Sequence, residues 1–305
     1  MKTIKLLCSI LFIGYLSNSY CQQEVQFTHY MYNTLSVNPG YAGSKNLLNV
    51  SSLLRQQWIG IDGAPMTQNI YLHSPIPTKN MGVGLSFVND RVGPIGQTSI
   101  AADYSYTINL NSKSKLSVGI KSMVNFIQAN LKGLKLDQQN DPSFSSNMSK
   151  VTPNVGLGIY YHTDKWYAGI STPKLLESEI NAGNTTTISK LNRHYYIIGG
   201  YVASLNQDWK LKPAFLVKLT QNAPVSIDVS LETYFKNKIS LGIMHRWEDS
   251  FGFLVGYQLS NQLRAGVSFD QTISHLSNYN NGTFEMFLSY DFLFSNDKII
   301  SPRYF

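Results

Sequence analysis

The sequence predicts an all-β protein that folds as a transmembrane, antiparallel up-and-down β-barrel of about fourteen strands. Only 14% of the residues are charged, whereas about a quarter are charged in a typical soluble domain. Many segments alternate apolar and polar residues, and the links between these segments are alternately short and long. Together these observations favour a barrel with lipid outside and a polar lumen inside.

The first 21 residues are predicted to be a secretory signal peptide, because a short basic start precedes an apolar run from Leu6 to Leu16. This run is too short to span a membrane as a helix. Cleavage is expected after Cys21. In the alternative reading Cys21 is the acylated cysteine of a lipoprotein, which the bulky Tyr20 disfavours. Since Cys8 lies in the same segment, the mature chain is expected to hold no thiol and no disulfide.

Period-two alternation marks the strands. It is clearest in Ile100–Leu110, Val225–Phe235 and Glu285–Phe294. Weaker copies lie near 47–59, 67–74, 81–90, 115–131, 154–163, 166–172, 193–204, 209–220, 239–248, 251–259 and 262–271. The chain is therefore divided into a signal peptide (1–21) and a barrel domain (22–305), which comprises an N-terminal segment (22–46), the barrel (47–294) and a C-terminal tail (295–305). Gly199 and Gly200 suggest a bulge.

The lengths of the links distinguish the two ends of the barrel. The links after even-numbered strands are short: 75–80, 111–114, 163–165, 206–208, 236–238 and 260–261. Several links after odd-numbered strands are long, and the longest follow Gly133, Pro173 and Thr272. Short periplasmic turns and longer outer loops are typical of outer-membrane barrels, so both termini are expected in the periplasm. The strand at 115–131 is expected to project beyond the outer rim.

The residues give no sign of catalysis, a metal site or a cofactor. The six histidines are not spaced as metal ligands, no nucleophile or phosphate-binding motif occurs, and the scattered Lys and Arg argue against nucleic acid. A set of charged residues is expected to face the lumen, where they either line a pore or bind a partner, or pair with one another in a packed interior. They are Asp103, Lys121, Asp228, Glu232, Arg246, Arg264 and Asp291.

Four stretches carry a resemblance to a known family. They are QFTHYMYNTLSVNPGYAGS (26–44), LLRQQWIGIDGAPMTQNIYLHSPI (53–76), GVGLSFVNDRVGPIGQTSIAADYSYTINL (82–110) and the terminal SPRYF (301–305). They resemble the PorP/SprF family of outer-membrane proteins of the type IX secretion system and gliding machinery. Many relatives have alanine where this chain has Gly40. The likeness is dense over about residues 22–130 and thinner through the middle.

The resemblance implies an outer-membrane barrel without catalytic activity. Its partners would be membrane lipid, the periplasmic type IX machinery and specific secreted cargo with a C-terminal sorting domain, such as a large adhesin. The alternatives are a passive diffusion channel, a barrel enzyme and a soluble secreted β-protein.

The N-terminal segment, 22–46, is uncharged from Tyr30 to Ser44 and rich in Tyr and Asn. It is expected to start in the periplasm and to plug or narrow the lumen, where amides and hydroxyls can bond lumen side chains. The alternative is a flexible periplasmic leader. The candidate plug or partner-binding residues are Gln26, Phe27, Tyr30, Asn33, Asn38, Pro39, Tyr41, Gly43, Arg55, Gln57 and Trp58. The candidate assembly or docking residues are Pro302, Arg303, Tyr304 and Phe305.

Overall fold

A computed structural model of the chain describes residues 24–77, 79–134, 146–182, 186–221 and 223–293, and for 179–182 and 186–190 it describes the backbone only. The described residues form one large antiparallel sheet and one separate two-stranded hairpin. The predicted signal peptide and the C-terminal tail lie outside the described residues.

The large sheet closes into a barrel of fourteen strands, which confirms the fold class predicted from the sequence. In chain order its strands are β1 (Leu48–Gln56), β2 (Met66–Ile76), β3 (Met81–Val92), β4 (Ile95–Asn109), β5 (Ser114–Ala129), β6 (Met148–Thr163), β7 (Trp166–Thr172), β10 (His194–Tyr201) with its short continuation β11 (Ala203–Ser204), β12 (Trp209–Thr220), β13 (Ser226–Phe235), β14 (Ile239–Arg246), β15 (Ser250–Gln258), β16 (Leu263–Thr272) and β17 (Thr283–Phe292). The separate hairpin consists of β8 (Ser178–Ala182) and β9 (Thr186–Leu191).

Antiparallel pairing joins each barrel strand to its neighbours in sequence, as in an up-and-down barrel. The ring closes where β1 pairs with β17, with Leu48 opposite Phe292. After β7 the sheet continues directly to β10, because the β8–β9 hairpin stands apart from it.

The side chains of the barrel follow the alternation in the sequence. On β13, Ile227, Val229 and Leu231 are exposed, whereas Asp228 and Ser230 are buried. The apolar side chains therefore point outward and the polar side chains point into the lumen. In a soluble protein this placement is reversed, so the exterior of the barrel is suited to a lipid environment.

The two rims differ as the link lengths predict. The links 77–80, 110–113, 164–165, 205–208, 236–238 and 259–262 meet at one end, which we call the short-link rim. The links 57–65, 130–147, 173–193 and 273–282 start and end at the other, the long-link rim, together with three short links, 93–94, 221–225 and 247–249. The predicted projection is also present: β5 and β6 each have 16 residues, whereas β7 has 7, and β6 pairs with β7 only from Leu157.

The bulge expected at Gly199 and Gly200 is absent, since β10 keeps its register through both glycines and breaks at Val202 instead. Both positions need glycine because an aromatic ring lies against each of them. A β-carbon on Gly199 would lie 2.7 Å from the Phe215 ring, and one on Gly200 would lie 2.6 Å from the Tyr167 ring.

Helical structure in the described residues is limited to short turns, at Tyr30–Tyr32, Thr34–Val37, Pro39–Tyr41 and His275–Asn278. None of the described helices has the length and apolar character needed to cross a membrane.

Candidate functional site in the barrel lumen

The stretch from Glu24 to Asn46, here called the lumen segment, runs inside the barrel. The Tyr30 hydroxyl lies 2.8 Å from the Ser230 hydroxyl on β13. The Ser105 hydroxyl on β4 donates to the backbone oxygen of Ala42 at 2.7 Å. Because β13 and β4 belong to opposite parts of the wall, these contacts place the segment across the lumen.

The lumen segment enters at the long-link rim and leaves at the short-link rim. Glu24 pairs with Lys174, which lies just after β7, and the Gln26 amide donates to Ser226 at the start of β13. At the other end, Gly43 donates its backbone N–H to His73, and Lys45 lies 3.5 Å from Asp291 near the end of β17.

The expectation that this segment begins at the periplasmic rim is therefore wrong. Its position before β1 in the chain does not fix its direction of entry. Lumen side chains bond its backbone at Thr28, Ala42 and Gly43, so the segment can cross from the long-link rim to the start of β1 with backbone groups paired at both ends of the path.

A buried carboxylate holds the first part of the lumen segment. Glu285 of β17 accepts the backbone N–H groups of Thr28 at 2.9 Å and His29 at 2.8 Å. Arg55 of β1 donates to Glu285 at 2.8 Å and to Asp270 at 3.0 Å. We call Glu285, Asp270 and Arg55 with the backbone of Thr28 and His29 the carboxylate clamp. Because hydrogen bonds to an ionised group are about twice as strong as neutral ones, the clamp holds this part of the segment firmly.

Tyr32, which follows the clamped residues in the lumen segment, is held by contacts with several strands. Its hydroxyl donates to Glu232 at 3.0 Å, and its ring stacks on Phe287 at a centroid distance of 4.5 Å. The guanidinium of Arg264 and the ammonium of Lys212 each lie 5.1 Å from the ring centre. Cations at this distance are attracted by the π-face of the ring.

The NPGYAG part of the segment lies against glycines in the wall. A β-carbon on Gly119 would overlap the backbone of Pro39 and Gly40, and one on Gly82 would overlap the carbonyl of Ala42. Gly43 adopts φ +72°, a left-handed conformation that favours glycine. Because the backbone of the lumen segment lies directly against the backbone of the wall, small residues are needed in both the segment and the wall.

The Asn38 side chain organises this turn. Its oxygen accepts the backbone N–H of Gly40 at 2.9 Å, and its amide donates to the carbonyl of Ile159 on β6 at 2.9 Å. The Tyr41 ring packs edge-on against Tyr160 at 5.4 Å. Pro39 opens the short helical turn that Asn38 caps.

The remaining predicted site residues divide between the lumen and the long-link rim. Phe27 packs with buried Leu53 and Phe287, and the Asn33 side chain accepts from Asn69 at 2.9 Å. Gln57 and Trp58 do not bond to the lumen segment in the described contacts. Their backbone N–H groups donate instead to Pro65 and Thr283 at the long-link rim. Pro302, Arg303, Tyr304 and Phe305 lie outside the described residues.

The charged residues predicted to face the lumen pair with one another or with the lumen segment. Lys121 lies 2.8 Å from Asp103 and also donates to the backbone oxygen of Leu35. Arg246 binds Asp228 through two nitrogens, each at 2.9 Å. Of the two readings left open by the sequence, mutual pairing in a packed interior is the one observed. Among the described residues no group of three or more His, Cys, Asp or Glu could hold a metal ion.

Several residues of this site were missed by the sequence reasoning: Thr28, His29, Tyr32, Leu35, Glu285 and the wall glycines. Most gave no signal, because the partners of the lumen segment lie up to 257 positions away. The glycines did give one. Gly82, Gly119 and Gly158 interrupt predicted strands, and a strand glycine often marks a close backbone approach.

A closed barrel of fourteen antiparallel strands with an apolar exterior and a polar lumen defines an integral outer-membrane protein. The family described as type IX secretion system membrane protein PorP/SprF matches residues 19–290, and the chain belongs to this family. The resemblance seen in the sequence is thereby confirmed.

Solved structures similar to this chain are outer-membrane barrels. The toluene transporter TbuX of Ralstonia pickettii matches with a TM-score of 0.52 at 9% identity, over 86% of this chain and 92% of its own. The CymD monoaromatic hydrocarbon channel matches with a TM-score of 0.51 at 10% identity, over 87% and 93%. At such low identity the likeness concerns the fold alone. Among curated proteins, no sequence matches this chain.

Proposed function

We propose that this protein is a cargo-specific partner of the type IX secretion system. It holds exported cargo, such as a large adhesin with a type IX C-terminal sorting domain, at the cell surface and serves gliding-type motility. The role is one of binding and requires no catalytic group. Membership of the PorP/SprF family supports the link with the secretion machinery.

The observation that carries this proposal is that the chain's own lumen segment occupies the lumen. It bonds to strands on both sides of the barrel and buries Tyr30, Leu35 and Tyr41. A lumen occupied in this way favours a plug over an open path for solutes, and so counts against the passive diffusion channel. The surfaces left for a large partner are the two rims.

The long-link rim suits the cargo and the short-link rim suits the periplasmic machinery. The ends of β5 and β6 project at the long-link rim beyond the much shorter β7 and offer an outer surface there. The short links lie close to the barrel end, where parts of the machine anchored in the periplasm can reach them.

The C-terminal residues carry a separate hypothesis, which comes from the sequence. SPRYF at 301–305 is either a signal for barrel assembly or a periplasmic docking tail. Removing Tyr304 and Phe305 should lower the amount of inserted barrel in the first case. In the second case insertion should stay normal, while co-purification of machinery components is lost.

A clean deletion strain tests the proposed function. Surface and medium proteins are compared by quantitative proteomics between wild type, the deletion and the complemented deletion. We expect one or a few large proteins to leave the surface while other type IX cargo stays. Unchanged export together with reduced solute uptake would instead identify a diffusion channel.

A further inference from the structure

The start of the lumen segment lies at the face where the proposed function places the cargo. Glu24 is at the long-link rim, because its partner Lys174 follows β7 at that rim. The next residues are also there, since Gln26 bonds to the first residue of β13. The segment thus presents a carboxylate at the outer rim.

Glu24 and Lys174 form a partly exposed ion pair. The Lys174 ammonium lies 2.6 and 2.8 Å from the two carboxylate oxygens. The side chains of Lys174 and Glu24 keep 15% and 20% of their exposure. The pair is mostly buried but still touches solvent at the rim, so a carboxylate that arrives from outside can reach Lys174.

The surroundings of this pair favour a negative group. His194 at the start of β10 and Lys218 near the end of β12 lie close enough to act on the charge of Glu24, and Asp90 of β3 lies close enough to interact with the charges of both Glu24 and Lys174. Burial alone would raise the pKa of Glu24, but Lys174 and His194 outweigh this and lower it. Glu24 is therefore ionised at neutral pH.

A small cavity lies between the wall and the residues that follow Glu24, and neither Glu24 nor Lys174 is part of its lining. It is lined by Val25 and Phe27 of the segment, by Tyr196 and Leu216 of the wall, and by the charged side chains of Lys218 and Asp228. Its lining is mostly apolar and it extends from the rim beside the segment. The cavity admits about one water molecule as it stands, and it would take an apolar side chain of a partner only after the start of the lumen segment moves away.

We infer that Lys174 is the contact point for a carboxylate on the exported partner, and that Glu24 occupies this contact in the partner's absence. The partner is a polypeptide that offers either an acidic side chain or its C-terminal carboxylate. Its binding displaces Glu24 and frees the first residues of the lumen segment. This inference rests on the proposed function for the nature of the partner, but the site itself is testable without it.

Cysteine labelling tests whether Glu24 is reachable from outside. Both native cysteines, Cys8 and Cys21, precede the predicted cleavage point, so single introduced thiols report alone. Glu24→Cys is compared on intact cells with Tyr279→Cys in a long link and Lys238→Cys in a short link. With a membrane-impermeant maleimide, Glu24→Cys should label like Tyr279→Cys. Labelling only after permeabilisation, as expected for Lys238→Cys, would overturn the inference.

Binding of short peptides tests the site itself. Three fluorescent Gly-Ser-Phe-Ser-Gly peptides are used with the full mature protein in detergent: one with a free C-terminal carboxylate, one amidated, and one amidated with a Glu in place of the second Ser. Fluorescence anisotropy should show that carboxylate-bearing peptides bind more tightly than the neutral peptide. The two charged peptides distinguish a C-terminal carboxylate from an acidic side chain.

Two substitutions should act in opposite directions. Glu24→Gln removes the competitor and should tighten carboxylate binding about two- to fivefold. Lys174→Gln should abolish it, Lys174→Arg should keep it, and Lys132→Gln, at an exposed lysine of the same rim, should leave it unchanged. Each variant is first shown to be folded by its heat-dependent shift in electrophoresis.

Equal binding of the amidated neutral peptide, or weaker binding in Glu24→Gln, would overturn the inference. These outcomes are distinguishable from failure of the proposed function. If only the proposed function fails, the peptides would still bind as expected, while deletion of the gene would leave the cargo on the surface unchanged.

Discussion

Replacing Glu285 by glutamine should release the first part of the lumen segment. The carboxylate accepts two backbone N–H groups, from Thr28 at 2.9 Å and His29 at 2.8 Å, and also pairs with Arg55. A glutamine keeps one acceptor oxygen and turns an amide donor toward the other N–H. One charge-assisted bond is lost and the other becomes neutral.

The size of the effect follows from these bonds. A hydrogen bond to a charged group contributes about 1.5–3 kcal/mol, and its neutral counterpart about half of that. The loss is therefore about 3 kcal/mol, which corresponds to about a hundredfold increase in the opening equilibrium. Arg55 keeps Asp270 as a partner, so the wall itself should stay folded.

Hydrogen–deuterium exchange followed by mass spectrometry measures this opening. In the purified protein, a peptide covering residues 24–32 should exchange about a hundredfold faster in Glu285→Gln than in wild type. The matched control is Ser289→Ala on the same strand, because Ser289 bonds to Asn49 and Ser51 of the wall. Unchanged exchange over 24–32 in Glu285→Gln, or an equal rise in Ser289→Ala, would refute the clamp.

Two further predictions concern the wall of the lumen. Gly119→Val should strongly reduce the yield of folded barrel in heat-modifiability gels, since its side chain would overlap the lumen segment; Gly96→Val has open space around it and should fold normally. Lys121→Met should lower stability to urea unfolding by about 3–5 kcal/mol because it leaves Asp103 buried and unpaired. Adding Asp103→Leu should restore most of this loss, and a double variant no more stable than Lys121→Met would contradict the pairing.

The barrel could be predicted from the sequence because the pattern that indicates each strand lies within that strand. Each strand shows the period-two pattern within about ten residues, and the alternation of link lengths orders the rims. All fourteen predicted strands are present. The bulge at Gly199 and Gly200 was a wrong prediction, because a strand glycine can equally make room for an aromatic ring across the sheet.

The lumen site could be predicted only in part. The segment carrying Tyr30, Asn38 and Gly43 was found through its uncharged composition and its family resemblance. Its direction and its partners were not, because Glu285 and Ser230 lie 257 and 200 positions from their contacts. No periodicity within the segment indicates which distant side chains will meet it.

The proposed function requires that the lumen segment seals the barrel. Single-channel conductance in planar bilayers tests it most directly, by comparing the purified mature protein with a variant that lacks residues 24–44. We expect the intact protein to be silent and the shortened variant to conduct through an open lumen. A conducting intact protein, or no rise in conductance in a folded shortened variant, would contradict the claim.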